Sequence, residues 1–180
     1  MNESTPPTDA TFSQPPVSVE TFGLLYDRYL TPVYRYIFSR VGNAADAEDL
    51  TAQTFLAALE ALPRYRERGT FPAWLFRIAR SKLMDFFRRA RTQVSLDEVE
   101  VPPSSDDPLT CSIAADEVSR LRDMIATLSI DERELLRLRY VADLSFAEMA
   151  AVLHKREDAV KKSLYRLLAR LNNQMEVQDV

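Results

Sequence analysis

The segment SLDEVEVPPSSDDP, Ser95–Pro108, limits what this chain can fold into more than any other stretch. It has no helical period and carries Pro102, Pro103 and Pro108, each without the amide hydrogen that a helix interior or a sheet ladder needs. It therefore divides the 180 residues into two blocks, about Glu20–Arg91 and about Ile113–Met175. Each block has the size of a small domain. Only three residues are glycine and no run alternates apolar and polar at strand length, so both cores are expected to come from helices. The expected fold is all-α: two small helical domains joined by an acidic, proline-containing linker. The domain reading is a polar, proline-rich and disordered tail over residues 1–19, a first domain over 20–92, a linker over 93–112 and a second domain over 113–176.

Helix starts are marked by capping residues. Asn43 followed by Asp46 can cap the helix carrying ADAEDLTAQTFLAALEAL. Ser129 with Glu132, and Ser145 with Glu148, fit the capping box, in which each side chain satisfies an orphan amide of the first turn. Pro72 stands where a first-turn proline costs nothing.

Several function classes drop out on composition. A single cysteine, Cys111, leaves no internal disulfide, and with a single histidine, His154, there is no Cys/His zinc set. No stretch approaches the ~20 apolar residues that span a bilayer, and the N-terminus lacks a secretory pattern. A cytoplasmic protein without membrane insertion, cofactor or metal is expected.

The net charge of −4 conceals a strong segregation. From Pro63 to Arg91 nine basic residues face two acids, whereas Thr92–Glu117 holds seven acids and no lysine or arginine. Placed on a helix at roughly 100° per residue, Arg77, Arg80, Arg88 and Arg91 share about a quarter of the circumference. Phe76, Leu83, Phe86 and Phe87 form the adjacent apolar arc. Asp85 falls within that arc, where an i,i+4 pair with Arg89 would neutralise it. Just upstream, PRYRERGTFPAW sets Arg64, Arg66 and Arg68 among Tyr65, Phe71 and Trp74 on a loop. Aromatic rings beside guanidinium groups suit unstacked bases, each of which offers a face to stack and a phosphate to neutralise. A merely solvated basic face, with the rings packed into a core, is the plainer alternative. Nucleic acid accounts better for the segment as a whole.

The preceding ADAEDLTAQTF places Asp46, Asp49 and Gln53 at i, i+3 and i+7, with Glu48 alongside. First-turn acids complement the helix dipole. The same acids could equally form a docking face for a basic partner protein. A helical enzyme holding a metal on Asp46, Glu48 and Asp49 lacks a second set of carboxylates to complete the site, so no catalytic residue is expected. Toward the C-terminus, LSFAEMAAVLHKREDAVKKSLYRLLARL has the layout of a helix-turn-helix: a capped helix over Ser145–Leu153, a turn near His154 and a second helix from about Glu157. Val160, Leu164, Leu167, Leu168 and Leu171 share one face of that second helix, with Lys161, Lys162, Tyr165 and Arg166 mostly on the other.

In order, YDRYLTPVYRYIFSRVGNAADAEDLTAQTF, FPAWLFRIARSKLMDFFRR and LRLRYVADLSFAEMAAVL resemble the bacterial extracytoplasmic-function sigma factors. The likeness covers nearly everything from Tyr26 to Leu171 and rests on the joint occurrence of DAEDL…QxF and WLxxIA…D…RR at this separation. It implies a non-enzymatic initiation subunit, whose first domain is sigma region 2 and whose second is sigma region 4. Its partners would be core RNA polymerase, promoter DNA and an anti-sigma factor. By this resemblance Asp46, Glu48, Asp49 and Gln53 meet the polymerase. Arg64, Tyr65, Arg66, Arg68, Trp74, Arg77, Arg80, Ser81, Arg88, Arg89 and Arg91 open and hold the minus-ten element. Ser145, Lys155, Arg156, Lys161, Lys162, Tyr165 and Arg166 meet the minus-thirty-five element, and the acidic linker threads a basic polymerase channel. The chain departs from the family's usual pattern at Ser81, where asparagine is common, at Ser129, where proline is, and at His154, where the turn usually has glycine. Arg156, Glu157 and Asp158 replace small residues at the start of the recognition helix. Those departures motivate an alternative, a sigma-like regulator that binds DNA or polymerase without initiating.

Overall fold

The structure, a computed structural model, describes residues 19–65, 70–94 and 121–178. Residues 1–18 of the expected tail, the arginines Arg66 and Arg68, nearly all of the expected linker and residues 113–120 of the expected second domain lie outside the described residues, and Val19, expected in the tail, begins a helix. In chain order the elements are α1 (Val19–Val41), α2 (Ala44–Ala61), a 3-10 turn (Leu62–Arg64), α3 (Phe71–Val94), α4 (described over 121–126), α5 (Ile130–Leu136), a π-helical turn (Arg137–Val141), α6 (Phe146–Leu153) and α7 (Glu157–Gln178). No strand occurs among the described residues.

Local chemistry sets the helix ends. The turn from α1 to α2 needs only Gly42 and Asn43. Gly42 adopts φ 79°, the left-handed conformation in which a β-carbon is costly, and its N–H donates to the Phe38 carbonyl at 2.9 Å. Asn43 then caps α2, its Oδ1 accepting from the Asp46 amide at 2.8 Å. Both expected capping boxes form. Ser129 and Ser145 accept from the amides of Glu132 and Glu148, whose carboxylates accept in return from the serine amides at 3.0 and 2.8 Å. Helix α3 runs two residues past the expected domain end at residue 92.

The two blocks do not keep separate cores. Val33, Tyr36 and Ile37 of α1, Leu50 and Phe55 of α2, and Leu75, Phe76 and Leu83 of α3 form one buried cluster that continues into Leu138, Leu144, Met149 and Val152 of the second block. Helix α6 lies on α3, and the π turn lies on α1. A smaller cluster of Met124, Leu128, Leu167 and Leu171 completes the second block farther along the same face of α7. Burial of each such side chain contributes roughly 1.5–3 kcal/mol, so a shared core holds the halves together as effectively as it holds each half.

A buried polar node sits within this junction. Glu134 of α5 is 4% exposed and receives two hydrogen bonds and one longer ion pair from the first block. The Tyr36 hydroxyl donates to Oε1 at 2.6 Å, Arg40 Nη1 donates to Oε2 at 2.8 Å, and Arg80 Nε lies 3.7 Å from Oε1. Tyr36 is fully buried, with its ring edge-on to Phe76 at 5.4 Å. Burial, and then the Glu134 charge, push the Tyr36 phenol far above its ordinary range.

Candidate nucleic-acid interface

The acidic turn of α2 is displayed rather than packed. Its apolar side, Ala47, Leu50, Thr51 and Thr54, is buried, so Glu48 and Asp49 must face outward. The Asp46 carboxylate accepts from Asn43 Nδ2 at 2.7 Å, and that of Asp49 accepts from Gln53 Nε2 at 2.6 Å. Glu48 borders a groove of about 380 Å³ shared with Tyr26, Leu30 and Tyr34 of α1. Two to three helical turns farther along, Leu56 and Leu59 are 58% and 40% exposed, which gives this face acids at one end and uncovered leucines at the other.

Helix α3 carries the basic row. Ala73, Leu75, Phe76, Ala79 and Leu83 are buried, and this orientation leaves Arg77, Ser81, Arg88, Arg89 and Arg91 exposed. Arg80 is turned toward Glu134, so one member of the expected row is engaged at the junction between the blocks. Asp85 does not pair with Arg89 as expected. Its partner is Arg88, one residue nearer, at 2.8 Å, and the Asp85 side chain is 40% exposed at the margin of the apolar arc. Both i,i+3 and i,i+4 spacings bring helix side chains together, and here the shorter one wins.

The aromatic residues around the start of α3 form a cluster, with Phe71 and Trp74 in the first turn of the helix itself and not on the expected loop. Tyr65 lies 4.7 Å from Trp74 and 5.9 Å from Phe71, Phe71 lies 5.4 Å from Trp74, and Tyr29 of α1 closes the group at 5.8 Å from Phe71. All four are half-buried against the main core. The rings join the end of the 3-10 turn to the first turn of α3 and to α1, with Arg64 exposed beside them.

In the second block α6 and α7 meet at a tight turn. His154 takes φ 54°, ψ 40°, so it adopts the left-handed conformation that glycine usually supplies. Val160, Leu164, Leu167 and Leu171 are buried, while Lys155, Arg156, Lys162, Tyr165 and Arg166 are exposed. Two expected contact residues already have partners. Lys161 Nζ sits 2.7 Å from Glu157, whose hydrogen bond and charge raise the lysine above its ordinary pKa, and the Ser145 hydroxyl is held in its capping box. The Phe146 ring lies between Arg139 and Lys161, at 5.2 and 5.6 Å.

Tyr36, Arg40, Arg133, Glu134 and Arg137, which mark the junction, were not among the expected site residues. Glu134 had one visible signal: with Leu135 beside it and Leu138 at i+4, it stands on an apolar helix face. Among the described residues no three His, Cys, Asp or Glu side chains come together as a metal site, and no helix is long and apolar enough to cross a membrane.

An acidic helix next to a basic one, followed by a helix-turn-helix with exposed cations, places the chain among the sigma-70-type factors of RNA polymerase. Sigma-70 region 2 matches residues 25–93 and sigma-70 region 4 matches residues 119–171. The chain is 39% identical over 159 residues to the ECF RNA polymerase sigma factor BldN of Streptomyces coelicolor, a match spanning 84% of this chain but 59% of that protein. It is 36% identical over 151 residues to the ECF RNA polymerase sigma factor SigD of Mycobacterium tuberculosis, spanning 79% of this chain and 71% of SigD. The solved structure of CnrH in complex with the cytosolic domain of CnrY superposes with a TM-score of 0.62 at 26% identity, covering 89% of this chain and 90% of CnrH. The chain belongs to the extracytoplasmic-function sigma factors of bacterial RNA polymerase, a class of initiation factors rather than enzymes.

Proposed function

We propose that this chain binds core RNA polymerase through α2 and directs it to promoters through α3 and α7, acting in the cytoplasm without catalysis of its own. Residues 20–92 serve as region 2 and residues 113–176 as region 4. The observation that carries this reading is the division of the first block into two opposed surfaces, the exposed Glu48 and Asp49 on α2 and the exposed Arg77, Arg88, Arg89 and Arg91 on α3. Carboxylates suit a basic protein surface, and a guanidinium row suits the phosphates and faces of melted DNA. Lys162, Tyr165 and Arg166, on the outer side of α7, are the residues for the upstream element. The solved complex of CnrH with the cytosolic domain of CnrY supports a further protein partner, a role that an anti-sigma factor would fill.

Run-off transcription with core polymerase on genomic fragments tests the whole reading, with defined start sites expected. The Glu48→Lys, Asp49→Lys double variant should lose core binding while its circular dichroism stays unchanged. Core binding equal to that of the unaltered chain would remove the α2 assignment. Binding to core or DNA with no defined transcript would favour the regulator that does not initiate. One observation speaks for that second reading: the first turn of α7 presents Glu157 and Asp158 where phosphates would approach.

A further inference from the structure

Five arginines meet where the two blocks join. Arg40 of α1, Arg88 and Arg91 of α3, Arg133 of α5 and Arg137 of the π turn line a cleft of about 750 Å³, with the half-buried Phe87 ring beside them. Among the described residues two carboxylates reach this group, Glu134 at 2.8 Å from Arg40 and Asp85 at 2.8 Å from Arg88. Five positive charges against these two negative ones leave an excess of three among the described residues. The Arg133 Nε is buried and has no hydrogen-bond partner among the described residues. Arg137 is crowded as well, because burial, then the charges of Arg40 and Arg133, lower its proton affinity. Guanidinium groups do not shed their protons at neutral pH, so the cluster cannot relieve this repulsion by titrating.

An anion relieves it. Guanidinium forks match phosphate oxygens in bidentate geometry, and three uncompensated charges call for a chain of phosphates rather than one. The cleft has the volume of a small-molecule site, and Phe87, over whose ring Arg40 lies at 5.5 Å, gives its edge an apolar surface against which a base can pack. We propose that this cleft binds a nucleoside polyphosphate, whose phosphates bridge Arg88 and Arg91 of the first block to Arg133 and Arg137 of the second. Such a ligand would hold the two blocks together. It would also occupy two arginines of the α3 row and so compete with promoter DNA; the competition rests on the function proposed above, the binding does not.

Calorimetric titration of the full chain with ATP, inorganic pyrophosphate and adenosine tests the site. ATP should bind saturably at one site, more weakly as salt is raised, and more tightly than pyrophosphate, with adenosine showing no binding. Arg133→Gln and Arg91→Ala should each weaken ATP by about tenfold, the equivalent of one charge-assisted hydrogen bond. Arg35→Ala, which removes an exposed guanidinium of α1 outside the cleft, should leave ATP binding unchanged. Arg91 is exposed, so its variant reports even if Arg133→Gln fails to fold. Non-saturable binding, equal losses in Arg35→Ala and Arg91→Ala, or pyrophosphate binding as tightly as ATP would overturn the assignment.

Discussion

The Tyr36 hydroxyl donates a 2.6 Å hydrogen bond to the Glu134 carboxylate, joining two buried side chains 98 residues apart in sequence. Arg40 completes the node on the other carboxylate oxygen at 2.8 Å. A buried carboxylate costs free energy to desolvate, and these donors offset that cost only while all of them are present. The node therefore favours one arrangement of the two blocks over all others more than it adds net stability.

Removing the acceptor should expose that dependence. Glu134→Ala leaves the Tyr36 hydroxyl and the Arg40 guanidinium without their shared partner, and a loss of about 3 kcal/mol in urea unfolding is expected. Tyr36→Phe removes one of the donors to the charged carboxylate and should cost about 2 kcal/mol. Small-angle scattering on the Glu134→Ala chain should show a larger radius of gyration as the blocks separate. An unchanged radius together with unchanged stability would mean that the apolar contacts of α6 on α3 hold the junction by themselves.

The same node sets an alkaline limit. Its burial and the Glu134 charge raise the Tyr36 pKa in the folded chain, whereas in the unfolded chain it lies near ~10. A raised folded-state pKa gives stability that is complete below the unfolded value and is lost as pH rises beyond it. The unaltered chain should therefore lose stability between about pH 9.5 and 11 more steeply than Tyr36→Phe, approaching ~1.4 kcal/mol per pH unit. Denaturant melts of the two chains across that range check the difference. Parallel curves would show that the phenol ionises freely within the folded chain.

Sequence carried the local structure and missed the long-range pairing, for a physical reason. Capping boxes at Ser129 and Ser145 and the Asn43 cap depend on residues within one turn and are readable from spacing; a turn near His154 is readable as well, but its left-handed backbone is not. The buried face of α7 followed from its 3.6-residue period. Asp85 illustrates the margin of such reasoning, since i,i+3 and i,i+4 partners were both basic and period alone does not choose between them. The Arg40–Glu134 pair spans 94 residues, and nothing around Arg40, in the last turn of α1, marks it as interior. The cluster of Arg40, Arg133 and Arg137 exists only once the blocks have packed.

The turn of the helix-turn-helix holds a residue that its backbone disfavours. His154 closes α6 at φ 54°, and the following Lys155 amide donates to the Ala150 carbonyl at 3.0 Å. A β-carbon in this conformation costs about 1 kcal/mol, and glycine escapes the penalty while keeping the same backbone bonds. His154→Gly should raise the melting temperature, an expected gain of up to about 1 kcal/mol after the extra flexibility of glycine in the unfolded chain is subtracted. A lower melting temperature would show that the exposed imidazole makes a stabilising interaction that outweighs the strain.

The start of α7 offers a change in DNA binding that introduces no new cation. Lys161 is held 2.7 Å from Glu157, and with Asp158 adjacent the first turn of the helix presents more negative than positive charge to an approaching phosphate. Glu157→Gln removes the carboxylate that engages Lys161, freeing the ammonium for the DNA backbone. Affinity for duplex DNA should rise, and the slope of log affinity against log salt should steepen by about one phosphate contact. Lys161→Ala in the Glu157→Gln background should return the slope to its starting value, whereas the same change in the unaltered chain should do little. Fluorescence anisotropy of the full chain with labelled duplex over a salt series reads both quantities. If Glu157→Gln strengthens binding without changing the slope, the acid acted by repelling the backbone and not by holding Lys161.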